Sequence, residues 1–273
     1  MNLPSLLPVA LEAADVARDL IKTMAPGLLT PKGDRDMASE VDYAVERKLR
    51  EMLHERTPSI AFVGEEGGRE GVDRSDLEWV LDPVDGTVNF VRAIPLCAVA
   101  LALVRRNQPV LGVIDLPFLG ERYSAVQGQG AYLHDRRLRV GGDRPLGEAV
   151  VAIGDFAVGI GAADKNRIRV KMIERLAATA LRVRMLGSAA TDLAWLADGR
   201  VDASITLSNN PWDMAAGVII AREAGARVVD VDGSEYAMDS TSTLAAPADL
   251  IEAIRSLVLD AHHAVATAGS FEG

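Results

Sequence analysis

The chain of 273 residues lacks the features that mark several classes of protein. It has one cysteine, Cys97, so neither an intrachain disulfide nor a multi-cysteine zinc site can form. It has no apolar run close to the roughly 20 residues that cross a bilayer. Its N-terminus lacks the basic segment and the continuous apolar stretch of a signal peptide. We therefore expect a cytoplasmic protein without a membrane partner.

Aromatic residues and positive charge are also scarce. Only 4% of the residues are aromatic, whereas 49% are hydrophobic, so the core must consist mostly of alanine, valine, leucine and isoleucine. The formal net charge of −10 argues against general affinity for nucleic acid, which requires basic surface to neutralise phosphates. Length and composition indicate a globular protein of one large domain or two closely packed halves.

Apolar spacing predicts two halves with different patterns. Residues 1–143 contain helical spacing at 6–24 and 40–54, followed by apolar strands joined by short turns, which predicts helices packed on an antiparallel sheet. In residues 144–273 strands and helices alternate, which predicts an α/β half. The expected fold is of the α+β or α/β class, a layered αβαβα sandwich in which both halves form one continuous catalytic unit.

Two short polar segments of the first half, 30–39 and 67–76, are predicted to be loops. Segment 154–165 of the second half has no clear pattern. Ser39 is predicted to be the N-cap of the second helix, with Asp42 three residues later as in a capping box.

The most informative segment is Asp82-Pro83-Val84-Asp85-Gly86-Thr87. It follows an apolar run, 77–81, which we interpret as a buried strand that ends in a turn. Two carboxylates and a backbone carbonyl can be directed here to one point, and hard divalent cations prefer such oxygen ligands. The N–H groups of Gly86 and Thr87 can face an anion. The same hexapeptide is also typical of an ordinary turn.

Other acids stand near the ends of predicted elements. Glu65 and Glu66 follow the strand at 59–64, and Asp213 falls in the first turn of a helix that Pro211 can begin. Each has a structural explanation by itself, since an exposed loop tolerates the glutamates and the helix dipole favours Asp213. If these acids converged, they would raise each other's pKa unless a cation neutralised them. Convergence is the hypothesis that the structure must test.

Several segments together resemble the inositol monophosphatase family, in its order and at about its usual spacing. They are Lys32 with Asp36 to Asp42, Gly64-Glu65-Glu66, Asp82 to Phe90, Gly187-Ser188-Ala189-Ala190 and Trp212 to Gly217. The resemblance covers nearly the whole chain. It implies a Mg²⁺-dependent, Li⁺-sensitive phosphatase that forms a homodimer.

The resemblance also implies roles for individual residues. Two to three Mg²⁺ ions per active site would be held by Glu65, Asp82, the Val84 carbonyl, Asp85 and Asp213, with Asp82 shared between two ions. Glu65 and Thr87 would orient and deprotonate the attacking water, and Asp42 would hold Thr87. Substrate contacts would come from Asp85, Gly86, Thr87, Gly187, Ser188, Ala189, Thr206 and Asp213. Lys32 and Glu66 are possible further members of the site.

The resemblance leaves the substrate open at one position. It favours inositol 1-phosphate, but members specific for inositol have a glutamate where this chain has Thr206. A threonine can donate one hydrogen bond but offers no carboxylate. Histidinol phosphate, fructose 1,6-bisphosphate and 3′-phosphoadenosine nucleotides therefore remain alternative substrates. A protein that only binds a partner is an alternative of another class, although all six metal-binding and water-orienting side chains are present, which favours the enzyme.

Overall fold

The computed structural model describes residues 2–70, 76–142 and 144–269. This part of the chain forms the helices α1 (Leu7–Thr23), α2 (Glu40–Arg56), α3 (Thr87–Val91), α4 (Ala162–Thr179), α5 (Ala189–Ala197), α6 (Pro211–Glu223) and α7 (Ile251–Gly269). Strands β1 (Leu29–Gly33) and β2 (Asp36–Ser39) form a separate hairpin. None of these helices is long and apolar enough to span a membrane.

The larger sheet has eight strands in the order β10-β9-β8-β7-β6-β5-β3-β4. Neighbouring strands are antiparallel, except that β3 and β5 run parallel. The strands are β3 (Ala61–Gly64), β4 (Gly68–Glu70), β5 (Leu77–Asp85), β6 (Ala98–Arg105), β7 (Gln108–Leu116), β8 (Glu121–Val126), β9 (Gly130–Leu133) and β10 (Arg136–Arg137).

The smaller sheet has five strands in the order β12-β11-β13-β15-β14. Strand β11 runs parallel to both β12 and β13, whereas β15 is antiparallel to β13 and β14. The strands are β11 (Val150–Ile153), β12 (Arg182–Arg184), β13 (Ala203–Thr206), β14 (Arg227–Val229) and β15 (Thr243–Ala246). The second half is therefore a mixed sheet covered by helices.

The core residues show five layers. Helices α1 and α2 cover one face of the eight-stranded sheet, where Trp79 is fully buried. Helices α5 and α6 lie between the two sheets and contribute buried residues to the clusters on both sides. Helices α4 and α7 cover the outer face of the five-stranded sheet. The predicted αβαβα sandwich is confirmed.

The central helices pack closely because small residues line them. A Cβ added at Gly217 of α6 would lie 2.5 Å from Leu193 Cδ1 of α5. On the other side of α6, a Cβ added at Gly112 of β7 would lie 2.7 Å from the Ala216 carbonyl oxygen. The layer between the sheets is therefore fixed at a spacing that only glycine permits at these two positions, and this layer carries two segments of the site described below.

Several elements differ from their sequence prediction. Residues 30–39, predicted as a loop, form most of the β1–β2 hairpin, and because the β1 side chains are all exposed, no apolar alternation marks the strand. Strand β5 continues through the acidic motif to Asp85 instead of ending at Leu81. Helix α4 begins at Ala162, inside segment 154–165. The predicted loop 67–76 contains β4, and its residues 71–75 lie outside the described part. The predicted division between residues 143 and 144 remains a prediction.

Candidate active site

The candidate site begins where the parallel strands β3 and β5 end. Glu65 follows β3, and its N–H donates to the Leu81 carbonyl at 3.2 Å, so the pairing extends one residue beyond the strand. Asp82 and Asp85 lie in the last four residues of β5, where a bulge interrupts the pairing with β6. The Val84 N–H donates to Asp82 Oδ1 at 3.0 Å. The bulge thus lets an acidic motif continue a buried strand.

The acids predicted from separate segments converge here. Burial raises the pKa of Asp82 well above its usual range, and the charges of Glu65, Asp85 and Asp213 raise it further. Asp213 lies in the first turn of α6, and its pKa is also raised well above the usual range, by burial and then by the charges of Asp85 and Glu65. Burial raises the pKa of Asp85 to about 6. These carboxylates repel one another in the absence of a cation.

The N-terminus of helix α5, in the second half, lies against the Asp85 carboxylate of the first half. Ser188, the N-cap of α5, donates through Oγ to Asp85 Oδ2. The N–H groups of Ala190 and Ala189 donate to Asp85 at 2.8 and 3.3 Å. These hydrogen bonds oppose the effect of burial on the pKa of Asp85. Asp85 therefore occupies the positive end of the α5 dipole, where a carboxylate is stabilised.

The turn between β5 and α3 is held against the segment that precedes α5. Gly86 has φ +83°, and a Cβ on it would lie 2.9 Å from the Gly187 carbonyl oxygen and 3.0 Å from that of Leu96. Asn89 Nδ2 donates to the Leu96 carbonyl at 2.8 Å and to the Leu186 carbonyl at 2.7 Å. Glycine is thus required at position 86, because its φ is positive and because a side chain would collide with two backbone oxygens. Asn89 is a positioning residue for which no role was predicted from the sequence.

The Thr87 hydroxyl lies within hydrogen-bond distance of Val84 and Asp42. Its Oγ1 lies 3.1 Å from the Val84 carbonyl oxygen and 3.2 Å from Asp42 Oδ1, so the hydroxyl proton is directed at one of these acceptors. Asp42 is fully buried and also accepts from the Ser39 N–H at 2.9 Å, which confirms the predicted capping box. Burial raises the pKa of Asp42, although the hydrogen bonds from Ser39 and Thr87 oppose this shift.

Lys32 of the β1–β2 hairpin forms ion pairs with both glutamates of the β3–β4 turn, at 2.9 Å to Glu66. Burial lowers the pKa of Lys32, but its bonds and charge interactions with Glu65 and Glu66 outweigh burial, so the pKa is raised. Glu46 of α2 fixes the turn from behind, because its carboxylate accepts from the N–H groups of Glu66 and Gly67 at 2.8 and 2.7 Å. Glu46 has no role predicted from the sequence, although it follows Asp42 by four residues on the buried face of α2.

The carboxylate and carbonyl oxygens of this site are suited to a hard cation, although they do not surround a single point in this structure. Within residues 2–70, 76–142 and 144–269, no three histidine, cysteine, aspartate or glutamate side chains are placed to hold a metal ion as they stand. Glu65 is paired with Lys32, and Asp85 accepts hydrogen bonds from α5. Buried carboxylates with raised pKa and a nearby carbonyl oxygen are nevertheless the ligands that Mg²⁺ and similar ions prefer.

A cavity of about 410 Å³ opens beside these acids. Its lining includes six of the predicted substrate contacts, namely Asp85, Gly187, Ser188, Ala189, Thr206 and Asp213. Thr206 is the last residue of β13 and is almost fully buried. Segment 154–158 and the first turns of α4 complete the wall, which the sequence did not indicate. The volume is within the range of small-molecule sites, about 300–1,000 Å³.

The fold and the acidic site beside this cavity define the class of protein as a phosphatase, a hydrolase of phosphate esters. The chain belongs to the inositol monophosphatase family, whose family model matches residues 3–263. Members of this family are generally metal-dependent. The resemblance seen in the sequence is confirmed.

Three known proteins illustrate the similarity. The chain is 38% identical over 227 residues to the inositol-1-monophosphatase ImpA of Mycolicibacterium smegmatis, covering 83% of this chain and 82% of that protein. It is 37% identical over 203 residues to the fructose-1,6-bisphosphatase/inositol-1-monophosphatase of Thermotoga maritima, covering 74% and 75%. The crystal structure of the extragenic suppressor protein suhB from Bartonella henselae superposes with a TM-score of 0.87 at 30% identity, covering 93% of this chain and 98% of that one.

Proposed function

We propose that the protein is a Mg²⁺-dependent phosphomonoesterase that acts on a small polyol phosphate, with inositol 1-phosphate as the leading substrate. The observation that carries this proposal is the convergence of Asp82, Asp85 and Asp213 beside a cavity of small-molecule size. A partly buried cluster of mutually repelling acids is unfavourable unless cations neutralise it. Membership of a phosphatase family gives the reaction class, and the cavity gives room for the alcohol.

Two to three Mg²⁺ ions would be held by Glu65, Asp82, the Val84 carbonyl, Asp85 and Asp213. When bound, Mg²⁺ supplies positive charge that offsets the phosphate and lowers the pKa of water. Opening of the ion pair between Lys32 and Glu65 would free the whole Glu65 carboxylate to join this set. Lys32 can then keep its contact with Glu66, which lies 2.9 Å away.

The chain's own side chains can position the attacking water. Because the Thr87 hydroxyl proton is directed at Val84 or Asp42, the lone pairs of its oxygen are available to accept a hydrogen bond from water. The Glu65 carboxylate can accept the other proton and act as general base. The N–H groups of Gly86 and Thr87 would bind phosphate oxygens. Water would attack phosphorus in line with the leaving alcohol, the P–O bond to the alcohol would break, and the alcohol oxygen would take a proton from solvent, so no covalent enzyme intermediate is required.

A phosphate-release panel tests this proposal. Inositol 1-phosphate, histidinol phosphate, fructose 1,6-bisphosphate and a 3′-phosphoadenosine nucleotide are each incubated with Mg²⁺ or with a chelator. We expect Mg²⁺-dependent release, with inositol 1-phosphate among the substrates, because the oxygen ligands need a hard cation. If none of the four esters released phosphate, the result would favour a partner-binding protein.

Lithium should inhibit the reaction. The family resemblance implies Li⁺ sensitivity, and Li⁺ is a small cation that carboxylate oxygens can bind. The initial rate of phosphate release at saturating Mg²⁺ should fall as LiCl is added, whereas KCl at the same ionic strength should have little effect. Equal responses to the two salts would remove lithium sensitivity from the proposal.

Three further features complete the proposal. We propose a homodimer and a cytoplasmic location, and we propose that neither nucleic acid nor membrane is a partner. The family resemblance supports the first, and the charge of −10 supports the exclusion of nucleic acid. Light scattering of the purified protein measures the oligomeric state, and a monomer would contradict it.

A further inference from the structure

Arg169 of α4 is a buried cation without an acidic partner. It is 5% exposed, and burial alone lowers its pKa, with no carboxylate close enough to raise it. Its Nε donates to the Asp155 carbonyl at 3.2 Å and its Nη2 to Ser208 Oγ at 2.7 Å. Both acceptors are neutral. Burying a charge is costly unless it is paired, so this guanidinium is suited to an anion from outside the chain.

The cavity beside the candidate metal ligands is where such an anion would arrive. Arg169 lines it together with Asp85 and Asp213, and Lys165, one helical turn earlier, lines it as well. Among the described residues, neither Arg169 nor Lys165 forms an ion pair. The cavity wall at this point is ordered by Asn166, whose side chain exchanges two hydrogen bonds with the Ala157 backbone, at 2.7 and 2.9 Å.

The other acids on the cavity wall do not neutralise this positive charge. Asp155 is exposed and contacts Arg169 through its carbonyl oxygen. Asp192 is almost fully buried, and burial followed by the charges of Asp85 and Asp155 raises its pKa well above the usual range. Asp192 Oδ1 has no hydrogen-bond partner in the described chain. Asp192 forms no ion pair with Arg169 among the described residues, and Thr206 carries no charge.

We propose that Arg169, assisted by Lys165, forms a second anion subsite that takes a phosphate or carboxylate group on the alcohol part of the substrate. The inference rests on the proposed phosphatase function and extends its substrate class to polyol phosphates with a second anionic group. Arginine binds such groups through two parallel N–H donors, and its Nη1 makes no hydrogen bond among the described residues. The acids that bind metal act on the first phosphate, and Arg169 recognises the second group.

Matched substrates isolate the second group. Fructose 1,6-bisphosphate is compared with fructose 1-phosphate, and 6-phosphogluconate with glucitol 6-phosphate, which has a CH2OH group in place of the carboxylate, by kcat/KM for phosphate release with Mg²⁺. The first pair tests a second phosphate and the second pair a carboxylate. We expect the wild-type enzyme to prefer the doubly anionic member of at least one pair by about tenfold to a hundredfold, as a charge-assisted hydrogen bond allows. No preference in either pair would overturn the inference.

Variants then assign the preference to Arg169. R169Q should reduce the ratio of the two kcat/KM values to about one, and R169K should restore part of it because the charge returns. R167Q is the matched control, since Arg167 lies on the same helix but is exposed and paired with Asp164. If R169Q lowered kcat/KM equally for both members of a pair, Arg169 would only tie Asp155 to Ser208 and the inference would fail.

The outcome for the proposed function is separate. The enzyme could release phosphate from the esters with one anionic group and show no preference for those with two. That result would contradict the second subsite but would support the proposed phosphatase function. If neither inositol 1-phosphate nor any ester of the two matched pairs released phosphate with Mg²⁺, the second subsite and the proposed phosphatase function would both be contradicted. The wild-type comparison alone decides the preference, so a variant that fails to fold does not remove the test.

Discussion

Replacing Asp85 with Asn is expected to lower kcat/KM for phosphate release by at least about a thousandfold, because metal ions contribute several kcal/mol of transition-state stabilisation and each 1.36 kcal/mol is a factor of ten. The amide can still accept the bond from Ser188 but cannot supply a carboxylate to the cation. It also removes a buried charge whose pKa burial raises to about 6, so the metal-free fold should not lose stability. Steady-state kinetics and thermal melting measure the two effects.

Asp230→Asn is the matched control. Asp230 and Asp85 are each 7% exposed, and both accept hydrogen bonds from a serine hydroxyl and from backbone N–H groups. Asp230 lies outside the site and should leave phosphate release close to that of the wild type. Normal turnover of D85N with Mg²⁺ would show that the assignment of Asp85 to the metal ions is wrong.

The second large expected effect is that rising pH destabilises the metal-free protein through its site acids, whereas Mg²⁺ reverses this loss of stability. Asp82, Asp85 and Asp213 have raised pKa values, so between the unfolded and folded pKa the folded state holds more protons. The contribution of these three acids to the free energy of unfolding of the metal-free protein therefore falls as pH rises. The stability that the protonated Asp85 contributes is lost between pH 3.8, its ordinary pKa, and about pH 6, its pKa in the folded protein, and the loss is complete above that pH.

Bound Mg²⁺ should reverse this loss, because a cation stabilises the deprotonated acids and binds more tightly as they lose protons. At about 100 times its Kd, the ion adds roughly 2.7 kcal/mol to the free energy of unfolding. Melting temperatures with chelator and with Mg²⁺, between pH 5 and pH 8, measure the difference. The prediction would be contradicted if Mg²⁺ produced no stabilisation near neutral pH, or if it stabilised D85N as much as the wild type.

The sequence predicted those features whose signals are local. Ser39 and Asp42 stand three residues apart, and the hydrogen bonds of a capping box need only that spacing. The helix predicted at 40–54 has a periodic apolar face, and it is present as α2. The acids of the site also stood out in the sequence, because each follows an apolar run or falls in the first turn of a predicted helix.

Contacts between distant segments could not be predicted. Glu46 reads as an ordinary helical acid, and only the fold places it under the backbone of Glu66 and Gly67. Asn89 is joined to Leu186 across nearly a hundred residues. Strand β15 is four residues long with no polar alternation, because it is buried between β13 and β14. Such features depend on neighbours that a single sequence does not reveal.

The contact between Asp85 and the start of α5 has a consequence for protein engineering. A donated second half from a relative could bring a new alcohol-binding wall, but it must also supply the N–H groups that Asp85 accepts from and the Leu186 carbonyl that Asn89 bonds. Chimeras should therefore keep residues 186–190 from the host chain and exchange the segments around them. A transfer of specificity within this fold should therefore leave the contact segment 186–190 unchanged.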